Sequence, residues 1–261
     1  MKTALLAGFL SLGLFAGTAW AAPSVLTADI PASGMQRFVF EAGDGEVRIT
    51  PSSDEAVHVQ VELQQSEKSL FGLYHWLSDD TARDMHAVVL KQARQGTDLK
   101  LTLAYPNDAT HDDIKEKWIL LLPARLAVDA NMQAGQLVIK GIAGGVVASL
   151  KGGDLEIHVP KGPVHANLSG GRLSVVSDDL KPGNVKVASD FGLAIMDLNG
   201  RYYGPPERHG FLSSLHFWGN TVEQPAAGGD EIQLKVFGGL AVLRVGPVGD
   251  VKDYRKAFEE P

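Results

Sequence analysis

Apolar residues alternate with polar ones over most of the chain. Val57-His-Val-Gln-Val-Glu-Leu63 is the clearest case, and Leu99, Leu101 and Leu103 repeat it after the turn signal Gln95-Gly96-Thr97-Asp98. Period-two alternation is the mark of a half-buried β-strand. Trp118-Ile-Leu-Leu-Leu-Pro123 reads as a buried strand stopped by proline. In the middle of the chain the alternation acquires a beat. Gly135, Gly144, Gly153, Gly162 and Gly171 are nine residues apart, Gly183 follows after twelve and Gly192 after nine more. Most of these glycines lead an alternating apolar set, as in Gly153 before Leu155, Ile157 and Val159. The closest match recurs every eighteen residues: Gly144-x-Val-x-Ala-x-Leu returns at Gly162.

Nine residues hold one short strand and one sharp turn, too few for a crossover helix. The pattern therefore predicts an all-β chain. A near-constant period favours a β-solenoid or β-roll in which each coil stacks on the last, with a β-sandwich or meander as the alternative. A two-faced coil would stack residues eighteen apart. Gln136, Asp154 and Arg172 would then form one outward ladder, and Val138, Glu156 and Ser174 another. The expected organisation is a strand-rich, flat-paired part over 22–125, coils over 126–249 and a tail over 250–261. Residues 22–249 read as one continuous domain. Two segments break the beat: Ser69–Leu77, read as a short amphipathic helix plugging one end, and 200–219, read as an inserted loop. Asp250–Glu259 reads as a short capping helix.

Met1–Ala21 carries one charge, Lys2, then an apolar run of about thirteen residues ending in Ala19-Trp20-Ala21. That run is short of the ~20 residues that span a bilayer. It reads as a signal peptide cleaved between Ala21 and Ala22, with the product in the periplasm or secreted and no membrane span left. Its removal moves the net charge from -7 to -8. An acidic balance argues against nucleic-acid partners. Cysteine is absent, which excludes a disulfide scaffold, a thiolate zinc site and a thiol nucleophile.

The order of motifs resembles a known family. An early Gly-Glu-Val-Arg-Ile (45–49), a strand ending in Leu-Pro (122–123) and repeated glycine-led units look like the bacterial putative-adhesin family of β-solenoids, adhesin-head-like domains of unknown function. Phe191-Gly-Leu-Ala-Ile and Phe237-Gly-Gly-Leu-Ala-Val are similar to segments of cell-envelope stress-response proteins. The resemblance, over roughly 32–245, implies an envelope-associated, non-catalytic role, possible partners being an envelope polymer or protein. It lends no catalytic residues.

The residues themselves offer little chemistry, and no cofactor is expected. Gly152-Gly153-Asp154 is a lone partial match to a calcium roll. His111-Asp112-Asp113 reads as a polar turn. His158 and His165 fall at outward positions and read as solvated surface. No Gly-x-Ser-x-Gly elbow is present. Asp154, Glu156 and Arg172 could share one face, as acidic pairs do in polysaccharide lyases or hydrolases on β-helices. That is the enzymatic alternative. Segment 200–219 supplies the candidate partner-binding residues Arg201, Tyr202, Tyr203, Arg208, His209, Phe217 and Trp218, because aromatics beside arginine favour recognition. The same rings would serve as a satellite core or as a lid over an apolar ligand.

Overall fold

A computed structural model of the chain describes residues 24–65, 87–106, 114–178, 185–198, 214–219, 232–237 and 239–245. Every element among them is a strand: β1 (Ser24–Pro31), β2 (Arg37–Pro51), β3 (Ala56–Gln65), β4 (Val89–Gln95), β5 (Asp98–Ala104), β6 (Ile114–Leu122), β7 (Ala127–Lys140), β8 (Val146–Val159), β9 (Val164–Leu168), β10 (Gly171–Ser177), β11 (Val185–Asp190), β12 (Gly192–Leu198), β13 (Ser214–Gly219), β14 (Ile232–Phe237) and β15 (Leu240–Val245). Among the described residues the architecture is all-β, as the alternation predicted, with only Ala87 helical.

β2, β7 and β8 are long strands with a glycine near the middle, and they pair in parallel along both halves. Beyond β8 the halves separate. One column continues through β9, β11 and β14, the other through β10, β12 and β15. The offset is eighteen residues from β7 to β8 and from β8 to β9 and β10. It grows to twenty-one at Val164↔Val185 and Gly171↔Gly192, which accounts for the longer interval through Gly183.

The nine-residue beat resolves into two alternating corners. Gly45, Gly135, Gly153, Gly171, Gly192 and Gly239 stack in one column. A Cβ on Gly153 would lie 1.9 Å from the Gly135 carbonyl oxygen, so no other residue fits. Inward positions of both columns meet in one core. Val128, Ala130 and Met132 lie under Val146, Ala148 and Leu150, then Val164, Ala166 and Leu168, facing Leu137, Ile139, Leu155, Ile157, Val159, Leu173 and Val175. Each of the valine, leucine, isoleucine and methionine side chains stabilises the fold by roughly 1.5–3 kcal/mol relative to exposure.

The stack reaches further toward the N-terminus than the glycine spacing placed it. β2 pairs in parallel with β7 from Arg37↔Ala127 to Ile49↔Ile139, so the first rung precedes Leu126 by a wide margin of sequence. On its other side β2 meets β6 and β5 in parallel, and antiparallel strands follow: β6 with β3, β3 with β1, and β5 with β4. At the far end, residues 214–219 of the segment read as an inserted loop form β13. It pairs with β15, so β15 lies between β12 and β13 although it comes last in sequence. The expected signal peptide, both expected helices and residues 201–209 lie outside the described residues.

Candidate functional site

The two ladders predicted from the eighteen-residue spacing form on the outward side of the second column. Gln136, Asp154 and Arg172 are in register, as are Val138, Glu156 and Ser174. Strand alternation turns these side chains away from the core, while Leu137, Leu155 and Leu173 between them are buried. Gln136, Asp154, Glu156, Arg172 and Ser174, with Leu155 and with Ile195 of β12, line a shallow groove of about 180 Å³.

Charge in the groove is locally matched. Arg172 Nη2 donates to Asp154 Oδ2 at 3.2 Å, and Lys140 Nζ lies 2.7 Å from Glu156 Oε1. Each carboxylate thus has its own cation at a half-exposed position. Gln136 and Ser174 add neutral donor and acceptor groups. The groove offers hydrogen bonding in both senses with little net field.

The histidines do not converge. His158 extends the second column outward beyond Glu156 and lies 2.8 Å from Asp178 Oδ2 through Nε2. His165 sits on the first column, in register with Val147 and Lys186. Among the described residues no group of three His, Asp or Glu side chains could hold a metal ion. His111-Asp112-Asp113 lies outside the described residues. Of the candidate partner-binding residues, Phe217 and Trp218 fall in β13, in register with Leu243 and Arg244. Arg201, Tyr202, Tyr203, Arg208 and His209 lie outside the described residues.

A buried polar cluster went unnoticed in the sequence. Glu116 is 3% exposed, at the inward parity of β6 shared with Ile114, Trp118 and Leu120. Its Oε2 accepts from Trp118 Nε1 at 2.7 Å, and its Oε1 accepts from the Tyr105 hydroxyl at 2.5 Å and from the Gly43 N–H at 3.3 Å. Burial, and then the Glu116 charge, pushes the Tyr105 hydroxyl above its ordinary value of 10.0, so it stays a donor. The signal was present: Ile-Lys-Glu-Lys-Trp (114–118) puts an acid in phase with the apolar residues and both lysines out of phase. The cluster fastens the glycine bend of β2 to β6 and the end of β5.

No family model matches the chain, and no curated protein matches it. Solved structures resemble it over most of its length at low identity. A putative cell adhesion protein from Clostridium sporogenes ATCC 15579 shares 13% identity with a TM-score of 0.46, over 86% of this chain and 99% of that one. A putative adhesin from Bacteroides fragilis NCTC 9343 shares 13% with a TM-score of 0.33, over 86% and 98%. A putative lipid binding protein from Parabacteroides distasonis ATCC 8503 shares 10% with a TM-score of 0.27, over 86% and 96%. At these scores the likeness assigns no function to the chain.

Proposed function

We propose that this chain is a non-catalytic, exported, adhesin-like β-solenoid that presents a rigid face to a cell-envelope polymer or protein. The supporting observation is the parallel register of β7, β8, β10 and β12, which repeats outward positions rung upon rung at about 4.8 Å. Such a face is wide, shallow and held by backbone ladders, a form that suits an extended partner better than a small substrate. The Met1–Ala21 pattern supports the exported part of this reading. The test is co-sedimentation of residues 22–261 with purified envelope polymer. Gln136→Ala, Asp154→Ala and Arg172→Ala combined should weaken retention roughly ten-fold with an unchanged melting temperature. Wild-type protein that fails to sediment with polymer and captures no envelope protein would defeat the reading.

The enzymatic alternative draws on one observation: Asp154, Glu156 and Arg172 do line one groove. A lyase or hydrolase would release unsaturated or reducing sugar ends from the polymer, and the same triple variant would abolish them. The local ion pairs favour the binding role, since both carboxylates are already committed to a cation.

A further inference from the structure

The repeated Phe-Gly motif carries an inference that rests on the reading of this face as a polymer-binding surface and names the chemistry of its partner. Phe191 and Phe237 pack edge to face, ring centroids 5.4 Å apart and planes at 85°. They remain 59% and 50% exposed, so the pair buries little. Their backbones are tied, the Phe191 N–H donating to the Phe237 carbonyl at 2.7 Å and the Gly171 N–H to the Phe191 carbonyl at 3.2 Å.

Phe191 is also strained. Its φ of 55° is the one positive value at a non-glycine position among the described residues. A bulky side chain rarely adopts that conformation. Glycine would take it freely, and the chain uses 29 glycines elsewhere. Folding therefore does not ask for this ring. An exposed, strained aromatic with little burial is better explained by what it touches outside the chain.

Its position indicates the partner. Gly192 follows Phe191 at the corner, and Leu193 comes next, in register with Arg172. Arg172 is in register with Asp154, and Asp154 with Gln136. By rungs, Phe191 lies one spacing from Arg172 and three from Gln136, and Phe237 one rung further, so the rings stand at the corner end of the ladder, within about four rung spacings, ~19 Å. An aromatic face is negative and attracts the C–H face of a sugar ring. The ladder beyond it offers paired charges, an amide and a hydroxyl, which suit hydroxyl groups and give no net attraction to an ionic polymer. Asp190, exposed and in register with Phe237, disfavours anionic lipid headgroups. We infer that Phe191 and Phe237 form an aromatic ledge on which a neutral glycan stacks, its hydroxyl groups reaching the Gln136–Asp154–Arg172 ladder.

Affinity electrophoresis of the processed chain through gels containing glycol chitin or hydroxyethyl cellulose, both neutral, tests this. Flotation with phosphatidylethanolamine–phosphatidylglycerol vesicles runs beside it. Wild type should be retarded by at least one polymer. Phe191→Gly and Phe237→Ala should each weaken the interaction roughly ten-fold. Phe191→Gly should keep or raise the melting temperature, because glycine takes that φ without strain. Retardation that ignores both substitutions would overturn the ledge while leaving the polymer-binding face intact. Ring-dependent flotation without retardation would replace the glycan by a lipid. A Phe191→Gly protein that melts several degrees lower would make the ring structural. No retardation of wild type by either polymer would overturn the ledge, and retention on envelope polymer in the sedimentation test would then show whether the wider reading survives.

Discussion

The strands on either side of β2 are held together by different means. Toward the C-terminus, β7, β8, β9 and β10 repeat one solution: a glycine at the corner, small or branched aliphatic residues inside, and the same register each time. Toward the N-terminus the packing is individual. Phe38 and Phe40 stack, Phe40 meets Trp118 edge to face at 4.7 Å, and Glu116 gathers three donors beneath them. Backbone geometry specifies the first region, and particular side chains specify the second. Glycine substitutions should therefore be decisive in the stack, whereas polar deletions should be decisive near β6.

The sharpest way to break that comparison uses two adjacent glycines. Gly153 has φ +120° and backbone of Gly135 where its Cβ would go, while Gly152 has open space and no unusual φ. Gly153→Ala should cost about 4 kcal/mol or more, among the largest single-residue effects. Gly152→Ala should be neutral or stabilise by about 0.5 kcal/mol through the unfolded chain. Urea unfolding of both variants measures the difference. Equal costs would mean that the corner column is not what sets the register.

Next in size is Glu116. Glu116→Ala orphans the Trp118 indole, the Tyr105 hydroxyl and the Gly43 amide, and should destabilise by about 3 kcal/mol. Glu116→Gln keeps one carbonyl acceptor and should cost about half as much. Trp118 fluorescence should change in both, since its N–H loses a charged partner. A neutral Glu116→Ala would show that the aromatics alone hold this region, and the contrast between the two halves would narrow to packing.

What was legible in the sequence follows the same division. A period exposes itself, so the eighteen-residue ladders of Gln136, Asp154 and Arg172 could be placed by counting, down to the Arg172–Asp154 pair. The pairing of β2 with β7 could not, because their partners lie ninety residues apart with no repeat to link them. Alternation says which way a side chain points and not which strand lies beside it. Placing β15 between β12 and β13 reverses chain order, which a periodic reading has no means to anticipate. Glu116 was missed because the buried strand was read as beginning at Trp118, so the acid two residues earlier was never counted against its neighbours' parity. The exposed Phe191 was visible as a motif, but only its φ and its exposure separate it from core.

The smallest expected effect sharpens the comparison at the N-terminal edge. His58 of β3 lies between two carboxylates, with Nδ1 2.6 Å from Asp29 of β1 and Nε2 2.9 Å from Asp54 in the turn before β3. A neutral ring has one N–H and can donate to only one of them, whereas the imidazolium donates to both. Hydrogen bonds to Asp29 and then Asp54 raise the His58 pKa above its ordinary 6.5, and the hydrogen bond from His58 lowers Asp54 below 3.8. The stabilisation from His58 is therefore complete below about pH 6.5 and disappears as pH rises through its folded value. That from Asp54 is complete above about pH 4 and disappears as pH falls through its own. The clamp of β1 onto β3 should thus be firmest between about pH 4 and 6.5, and amide protection in β1 should fall at neutral pH while protection in β8 holds. Proton NMR of the His58 ring checks the sign: its midpoint should lie above 6.5 and move back toward it in Asp29→Asn. A midpoint at or below 6.5 would remove the clamp and leave β1 held by its ladder alone.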